Sequence, residues 1–209
     1  MSVRTPMPLV SGVAAPLVRA NIDTDIIIPS REIRSTTKQG LKDGLFAGWR
    51  YTDIDARAAN PDFVLNQPRY AEAKIILGGP NFGCGSSREH AVWALHEYGV
   101  RAVIAPSFNA IFYGNCIRNS LAPVTLSEED IATIAAEVES ADAPALEIDL
   151  VQSEIRTPSG ARFGFTMPDE PREMLVNGFD AIDLTLTHDE AINAHRARDA
   201  AARPWVYAR

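Results

Sequence analysis

The stretch KIILGGPNFGCGSSREHAVWALHEYGVRAVIAPS, residues 74–107, alternates short apolar runs with a helix signal. Lys74–Leu77 and Val100–Ala105 are β-rich runs of the length that buried strands have. Between them, Ser87–Tyr98 carries apolar residues at helical spacing and stops at Gly99. This strand–helix–strand order predicts a parallel α/β core.

The flanking sequence extends this core into a mixed sheet. Leu9–Arg19 and Leu121–Leu126 have the composition of further strands. Ala145–Gln152 alternates apolar and polar residues, as a half-buried strand does, and a hairpin signal follows it. We therefore predict an α/β fold in which helices flank a mixed, partly parallel sheet. We expect one domain over residues 1–209, with its glycine-rich core at residues 74–126.

Two capping patterns mark helix starts in the second half of the chain. Ser127 and Asp130 form a Ser-x-x-Asp pattern ahead of an apolar stripe. Thr187 and Glu190 precede a last predicted helix that runs toward Arg203. Both patterns predict that the hydroxyl caps the first turn.

Composition excludes several classes of protein. The 209 residues include 20 Lys and Arg against 27 Asp and Glu, a net charge of −7, which argues against a dedicated nucleic-acid binder. The two cysteines, Cys84 and Cys116, exclude a disulfide framework and favour a reducing cytoplasm. No apolar stretch approaches the roughly 20 residues of a membrane span, and the proline-containing first ten residues do not resemble a secretory segment. We expect a cytoplasmic protein with no membrane partner.

The glycine-rich segment Gly78–His90 joins a predicted strand to a predicted helix, where backbone amides can approach a ligand. Its spacing does not match the phosphate-loop pattern, because Cys84 stands where that pattern needs lysine. Arg88 stands in place of the third glycine of the dinucleotide fingerprint, and no Gly-x-Ser-x-Gly elbow occurs here. The segment therefore predicts a ligand-binding loop that is neither a phosphate loop, nor a dinucleotide-binding loop, nor a serine-hydrolase elbow.

Single residues in this segment leave alternatives open. Ser86 and Glu89 form a Ser-x-x-Glu pattern, so Ser86 is either a helix cap, a catalytic hydroxyl, or both. Cys84 is either an inert thiol or a nucleophile served by His90 or His96. The two histidines lie about 240° apart around a helix, so they cannot share a metal ion. We predict no metal site in this chain.

Four segments together resemble the aconitase superfamily. NFGCGSSREHA at 81–91 is similar to the signature of the superfamily's mobile swivelling domain, and NIDTDIIIP at 21–29 resembles its first active-site loop. Residues 107–123 and 175–186 resemble the segments that follow in the same domain. The resemblance covers nearly the whole chain and implies a single swivelling β/β/α domain. At this length, the chain is most similar to the superfamily's separate small subunits.

The resemblance also implies roles for five residues. In the family, the serine matched by Ser86 is the catalytic base that removes a proton from a substrate carbon, and the residues matched by Ser87 and Arg88 bind a substrate carboxylate. Asp25 matches the loop aspartate that orders active-site groups. Arg34 lies in the loop that distinguishes substrates and matches an arginine that meets a second, distal carboxylate in homoaconitase-like relatives.

The resemblance implies that the chain is one of two subunits of a hydro-lyase. Such an enzyme moves a hydroxyl between neighbouring carbons of a hydroxy-dicarboxylate by dehydration and rehydration. In the family, a 4Fe–4S cluster is held by three cysteines of a large subunit. We therefore expect this chain to bind no cofactor itself and to act as a heterodimer with that subunit. The apolar Ile26–Ile28 after Asp25 is typical of small subunits of the isopropylmalate type, which act in leucine biosynthesis.

Three other hypotheses remain at this point. The chain could be the small subunit of a homoaconitase-like or other hydroxy-dicarboxylate dehydratase. It could be a non-catalytic module that binds anions with the same glycine-rich loop. It could also be a thiol enzyme based on Cys84.

Overall fold

A computed structural model describes residues 4–33 and 37–207 of the chain. Its main feature is a seven-stranded sheet with the strand order β6-β5-β4-β1-β7-β8-β9. The strands are β1 (Leu9–Leu17), β2 (Tyr51–Asp53), β3 (Ala58–Ala59), β4 (Ile75–Gly78), β5 (Ala102–Ala105), β6 (Ala122–Thr125), β7 (Ala145–Asp149), β8 (Glu154–Arg156) and β9 (Arg162–Gly164). The short strands β2 and β3 pair only with each other among the described residues.

The sheet has a parallel half and an antiparallel half that meet at β1. Strand β1 pairs in parallel with β4, and β4, β5 and β6 continue in parallel. On its other side β1 pairs antiparallel with β7, and β7, β8 and β9 continue antiparallel. The predicted mixed, partly parallel α/β fold is confirmed.

The helices flank this sheet. They are α1 (Thr24–Ile27), α2 (Ala47–Arg50), α3 (His90–Tyr98), α4 (Ala110–Arg118), α5 (Glu128–Ser140), α6 (Asp169–Asn177), α7 (Ala181–Leu186), α8 (Asp189–Ala202) and α9 (Pro204–Tyr207). Single 3₁₀ turns occur at Ser30–Glu32, Lys42–Gly44, Val64–Asn66 and Pro68–Tyr70. None of the described helices is long and apolar enough to cross a membrane.

Burial explains why the central strands form. Every residue of β4 and β5 is buried, as expected for parallel strands covered by helices on both faces. Helices α3 and α4 follow these two strands and pack apolar side chains such as Leu95 and Phe112 onto the core. The order strand–helix–strand–helix–strand brings the carboxyl ends of β4 and β5 to one edge of the sheet.

The two capping patterns have different outcomes. The Ser127 hydroxyl accepts a hydrogen bond from the Asp130 backbone N at 3.0 Å, so this cap is confirmed. The Thr187 cap is wrong, because its hydroxyl donates to the carbonyl oxygen of Leu184 and α8 begins only at Asp189. Thr187 itself lies directly after the last turn of α7.

Candidate active site

Two loops lie side by side at the carboxyl ends of β1 and β4. The Gly83 backbone N donates to the Ile22 carbonyl oxygen at 2.8 Å, and the Thr24 backbone N donates to the Cys84 carbonyl oxygen at 2.9 Å. These bonds continue the β1–β4 pairing beyond the strands. They bring the segment that contains Asp25 against the glycine-rich segment.

Gly83 and Gly85 let this loop follow a path that other residues would not adopt. Gly83 has a φ of 73° and Gly85 a φ of 95°, both in the left-handed region. A Cβ at Gly83 would overlap the ring of Phe112, and a Cβ at Gly85 would lie 3.3 Å from Thr24 Oγ1. The glycines therefore allow the close approach that places Ser86 beside Thr24.

The Ser86 hydroxyl lies at the centre of a small group of hydrogen-bonding atoms. Its Oγ accepts from Arg88 Nε at 2.8 Å and from the Arg88 backbone N at 3.3 Å. Thr24 Oγ1 lies 3.1 Å from the same oxygen and also accepts from the Ser86 backbone N at 3.1 Å. Donors directed at a hydroxyl oxygen stabilise its ionised form more than its neutral form.

The helix-capping interpretation of Ser86 is wrong. Helix α3 begins at His90 rather than Ser87, and its N-cap residue Glu89 makes no side-chain capping bond. Ser86 lies four residues before the helix because Thr24 holds its backbone N and Asn115 Nδ2 donates to the Ser87 carbonyl oxygen at 3.4 Å. The hydrogen-bond partners of Ser86 thus come from Arg88 and Thr24, not from the first turn of α3.

Arg88 is oriented by three groups of this chain. Besides Ser86, its guanidinium donates to Ser30 Oγ through NH1 and to Asp25 Oδ1 through NH2. Ser30 Oγ in turn donates to Asp25 Oδ1 at 3.3 Å. A guanidinium has five N–H donors, so two remain for a ligand.

Ser87 is exposed, and its side chain has no hydrogen-bond partner among the described residues. It follows Ser86 directly, so its hydroxyl is available to a ligand bound at Arg88. The structure thus brings Asp25, Ser86 and Arg88 into direct contact, with Ser87 at their edge.

Arg34 lies outside the described residues. The segment that leads to it is anchored by Glu32, whose side chain is 3% exposed and pairs with Arg57. Arg57 also donates to the carbonyl oxygen of Asp43, and the Glu32 contact raises the pKa of its guanidinium. This buried ion pair fixes the backbone two residues before Arg34, and no spacing rule in the sequence predicts it.

The Cys84 thiol lacks the features of a nucleophile. Burial, followed by the nearby Asp23 carboxylate, raises its pKa, so the thiolate is disfavoured. Among the described residues, neither His90 nor His96 hydrogen-bonds to it, and His90 Nδ1 is buried without a partner. These observations oppose the thiol-enzyme hypothesis.

In the described part of the chain, no group of three or more His, Cys, Asp or Glu residues could hold a metal ion. Cys116 is fully buried, and burial raises its pKa well above the ordinary value. The described residues therefore do not fit the role of cluster ligands.

Comparison with known proteins agrees with this geometry. The aconitase C-terminal domain family matches residues 6–129. The "3-isopropylmalate dehydratase small subunit" of Cupriavidus necator is 52% identical over 203 residues, 97% of this chain and 98% of the relative. The protein of the same name from Neisseria meningitidis serogroup C is 45% identical over 205 residues, 95% of this chain and 96% of the relative.

The chain belongs to the family of 3-isopropylmalate dehydratase small subunits. A crystal structure of 3-isopropylmalate dehydratase from Methanocaldococcus jannaschii is also similar, with a TM-score of 0.61 and 28% sequence identity. The match covers 90% of this chain and 99% of that one. The aconitase-type fold expected from the motifs is therefore confirmed.

Thr24 and Ser30 complete the candidate site of this small-subunit family member, although the sequence analysis singled out neither residue. Thr24 is buried at 2% exposure on a four-residue helix, and Ser30 begins a single 3₁₀ turn. Both act on residues far away in sequence, Ser86 and Arg88. A search for hydroxyl residues within five positions of Asp25 would have included both.

Proposed function

We propose that the chain is the small subunit of a 3-isopropylmalate dehydratase, a hydro-lyase that interconverts 2- and 3-isopropylmalate in leucine biosynthesis. The family supports the reaction. The observation that carries the assignment of residues is the Ser86 hydroxyl, which accepts two hydrogen bonds from Arg88 and lies against Thr24.

Ser86 is the base in this proposal. Its Oγ takes the proton from the substrate carbon next to the carbon that loses hydroxide, and it returns a proton when water adds in the other orientation. The alkoxide that this step needs is stabilised by the adjacent Arg88 guanidinium and by hydrogen-bond donors that are already in place.

Arg88 and Ser87 hold a substrate carboxylate. Arg88 keeps two N–H donors that a carboxylate can use, and the Ser87 hydroxyl adds a third donor. Asp25 accepts from the same guanidinium and keeps it in place. Arg34 completes the set as a contact to the distal part of the substrate, where it governs which substrate is accepted.

The partner is a large subunit, as the name of the relatives implies. We propose that it forms a heterodimer with this chain and holds the 4Fe–4S cluster, because the described residues provide no metal-binding group. Such a cluster supplies a Lewis acid for the departing hydroxyl. The two unpaired thiols, Cys84 and Cys116, suit a reducing cytoplasm.

Ser86→Ala tests the proposal in the enzyme reconstituted with its large subunit. A positioned acid–base group contributes about 10²- to 10⁴-fold, so kcat should fall by that factor while substrate affinity and assembly change little. Deuterium exchange at the substrate carbon should be lost. The exposed serine of β1 provides a matched control, since Ser11→Ala should leave all four measurements unchanged.

The result that contradicts the assignment is a folded, assembled Ser86→Ala enzyme with kcat within tenfold of the parent. Assays on 2-isopropylmalate, 3-isopropylmalate, homocitrate and citrate decide the substrate. Turnover of homocitrate in preference to the isopropylmalates would favour the homoaconitase-like alternative instead.

A further inference from the structure

Thr24 is the buried residue in direct contact with the proposed base, and no role has been assigned to it. Its side chain is almost fully buried, and Oγ1 lies 3.1 Å from Ser86 Oγ. We propose that Thr24 is a positioning residue whose hydroxyl stabilises Ser86 in both protonation states. This inference rests on the proposed function of Ser86 as a base.

In the neutral site, the hydrogen bonds assign the direction of the Thr24–Ser86 contact. Ser86 Oγ already accepts from Nε and the backbone N of Arg88, which uses both lone pairs of a neutral hydroxyl. The Ser86 hydroxyl therefore donates its own proton to Thr24 Oγ1. Thr24 Oγ1 also accepts from the Ser86 backbone N, so it acts here as an acceptor twice.

In the ionised site, the same contact reverses. Ser86 Oγ no longer has a proton to donate, and it gains a lone pair. Rotation of the Thr24 hydroxyl then directs its own proton to Ser86 Oγ over the same 3.1 Å. Hydrogen bonds to a charged oxygen are roughly twice as strong as neutral ones, so the contact favours the ionised form.

The surrounding structure keeps Thr24 in this position. Its backbone N donates to the Cys84 carbonyl oxygen at 2.9 Å, and its carbonyl oxygen accepts from the Ile28 backbone N at 2.9 Å. Asp23 caps the same short helix through the Ile26 backbone N at 2.7 Å. A β-branched side chain has few χ1 rotamers, which further restricts the hydroxyl.

Thr24→Val tests the inference in the assembled enzyme, because valine keeps the shape of the side chain and removes the hydroxyl. The loss of one hydrogen bond to a charged oxygen should lower kcat by about 10- to 100-fold, with KM within threefold of the parent. Thr24→Ser restores the hydroxyl and should return kcat to within fivefold. The control is Thr157→Val, which removes a buried hydroxyl in the β8–β9 hairpin and should leave kcat unchanged.

A double-mutant cycle separates this role from a structural one. In a Ser86→Ala background, Thr24→Val should lower the residual rate by less than threefold, because the oxygen it serves is gone. Equal losses in both backgrounds would overturn the inference, as would a Thr24→Val enzyme with kcat within threefold of the parent. Thr24→Ala carries the same expectation if the valine variant does not fold.

The two proposals fail in different ways. If Ser86→Ala turns over within tenfold of the parent, the assignment of the base itself is wrong. If Ser86→Ala loses activity while Thr24→Val keeps it, only the role of Thr24 is wrong.

Discussion

Asp25 and Arg88 contribute through orientation more than through stability. Their side chains are 60% and 31% exposed, and ion pairs of that exposure stabilise a fold by at most about 1 kcal/mol. The same contact fixes the direction of the guanidinium, whose Nε reaches Ser86 Oγ. At the scale of single residues, these contacts therefore add little to the stability of the fold. Their effect is to determine the geometry around the Ser86 hydroxyl.

Gly83→Ala should destabilise the chain because its backbone conformation and its surroundings both exclude a side chain. A left-handed φ costs a non-glycine residue about 1–2 kcal/mol, and the added Cβ would overlap the Phe112 ring. We expect the free energy of unfolding to fall by about 2–4 kcal/mol in a urea titration, as for other overpacked or strained sites.

The matched control for this change is Gly114→Ala. Gly114 lies within α4, where the nearest atom to a new Cβ is Arg118 NH1 at 3.5 Å. Alanine in a helix interior is favoured over glycine by about 1 kcal/mol, so this variant should be as stable as the parent or more stable. Equal destabilisation of the two variants would contradict the argument for Gly83.

The sequence proposed candidate site residues through motifs, and it did not reveal contacts that depend on the fold. Ser86, Ser87, Arg88 and Asp25 carry a recognisable local pattern. Thr24 lies in the same motif as Asp25, but its contact with Ser86 arises from pairing between loops about 60 residues apart, which the motif does not reveal. The Ser86 cap was wrong for the same reason: a distant hydroxyl competes for the backbone that would have started the helix.

At the scale of elements, helix α3 holds the segment from 40 to 42 through a single carboxylate. Glu97, in its last turn, accepts hydrogen bonds from the backbone N of Gly40, Leu41 and Lys42 at 2.7, 2.5 and 2.9 Å. The segment from 40 to 42 follows shortly after Arg34 in the chain. The carboxylate thus anchors the backbone of residues 40–42 to α3.

Glu97→Gln tests this anchor through the dependence of stability on pH. Burial opposes ionisation of Glu97, but the three backbone donors outweigh it, so its pKa lies below the ordinary value of 4.5. A carboxylate with a lowered pKa stabilises the fold above its unfolded-state pKa, and that contribution is lost as pH falls through the folded-state pKa. At pH 7 the variant should be less stable by about 1 kcal/mol.

Urea titrations from pH 7 to pH 3 measure this difference. The gap between the parent and Glu97→Gln should be constant near neutrality and should shrink below about pH 4.5. Glu129→Gln, on the exposed face of α5, controls for a general loss of negative charge. A gap that stays constant down to pH 3 would show that the charge of Glu97 does not hold the loop.

Element types were predictable here because burial imposes a pattern on each of them. The fully buried β4 and β5 appear in the sequence as short apolar runs, and the half-buried β7 appears as an alternation. Strand order was not predictable, since β1 lies between β4 and β7, which are far from it in the chain. The strand order depends on which strands pair along their edges, and the local composition of a strand carries no information about its neighbours.

At the scale of the whole molecule, charge is distributed in favour of an anionic substrate at this edge of the sheet. Residues 1–125, which contain every proposed site residue, hold 13 basic and 10 acidic side chains. Residues 126–155 hold nine acidic and no basic side chains. The segment that contains the proposed site residues therefore has the net charge that suits a dicarboxylate.

The candidate site is supported by the core on one side and is open to solvent on the other. Asp25 is 60% exposed, Ser87 is exposed, and both point away from the core that supports them. Charge development on a substrate is stabilised best where water is excluded, so an open site of this kind needs a cover. The large subunit is the partner that could provide this cover. If it docks over the loop that contains Asp25 and the glycine-rich loop, it would enclose Ser86.

Hydrogen exchange of the isolated chain, and of the chain mixed with its large subunit, tests this orientation. Docking over the site should slow amide exchange in residues 21–30 and 80–89, because both loops become shielded from water at once. The hairpin at residues 154–164, on the antiparallel half of the sheet, is the internal control and should exchange at the same rate in both samples. Asp25→Lys, which reverses a charge on the exposed face, should weaken both the protection and the assembly together. Protection confined to residues 126–155, with both loops unchanged, would mean that the large subunit binds another face and that the site is covered in some other way.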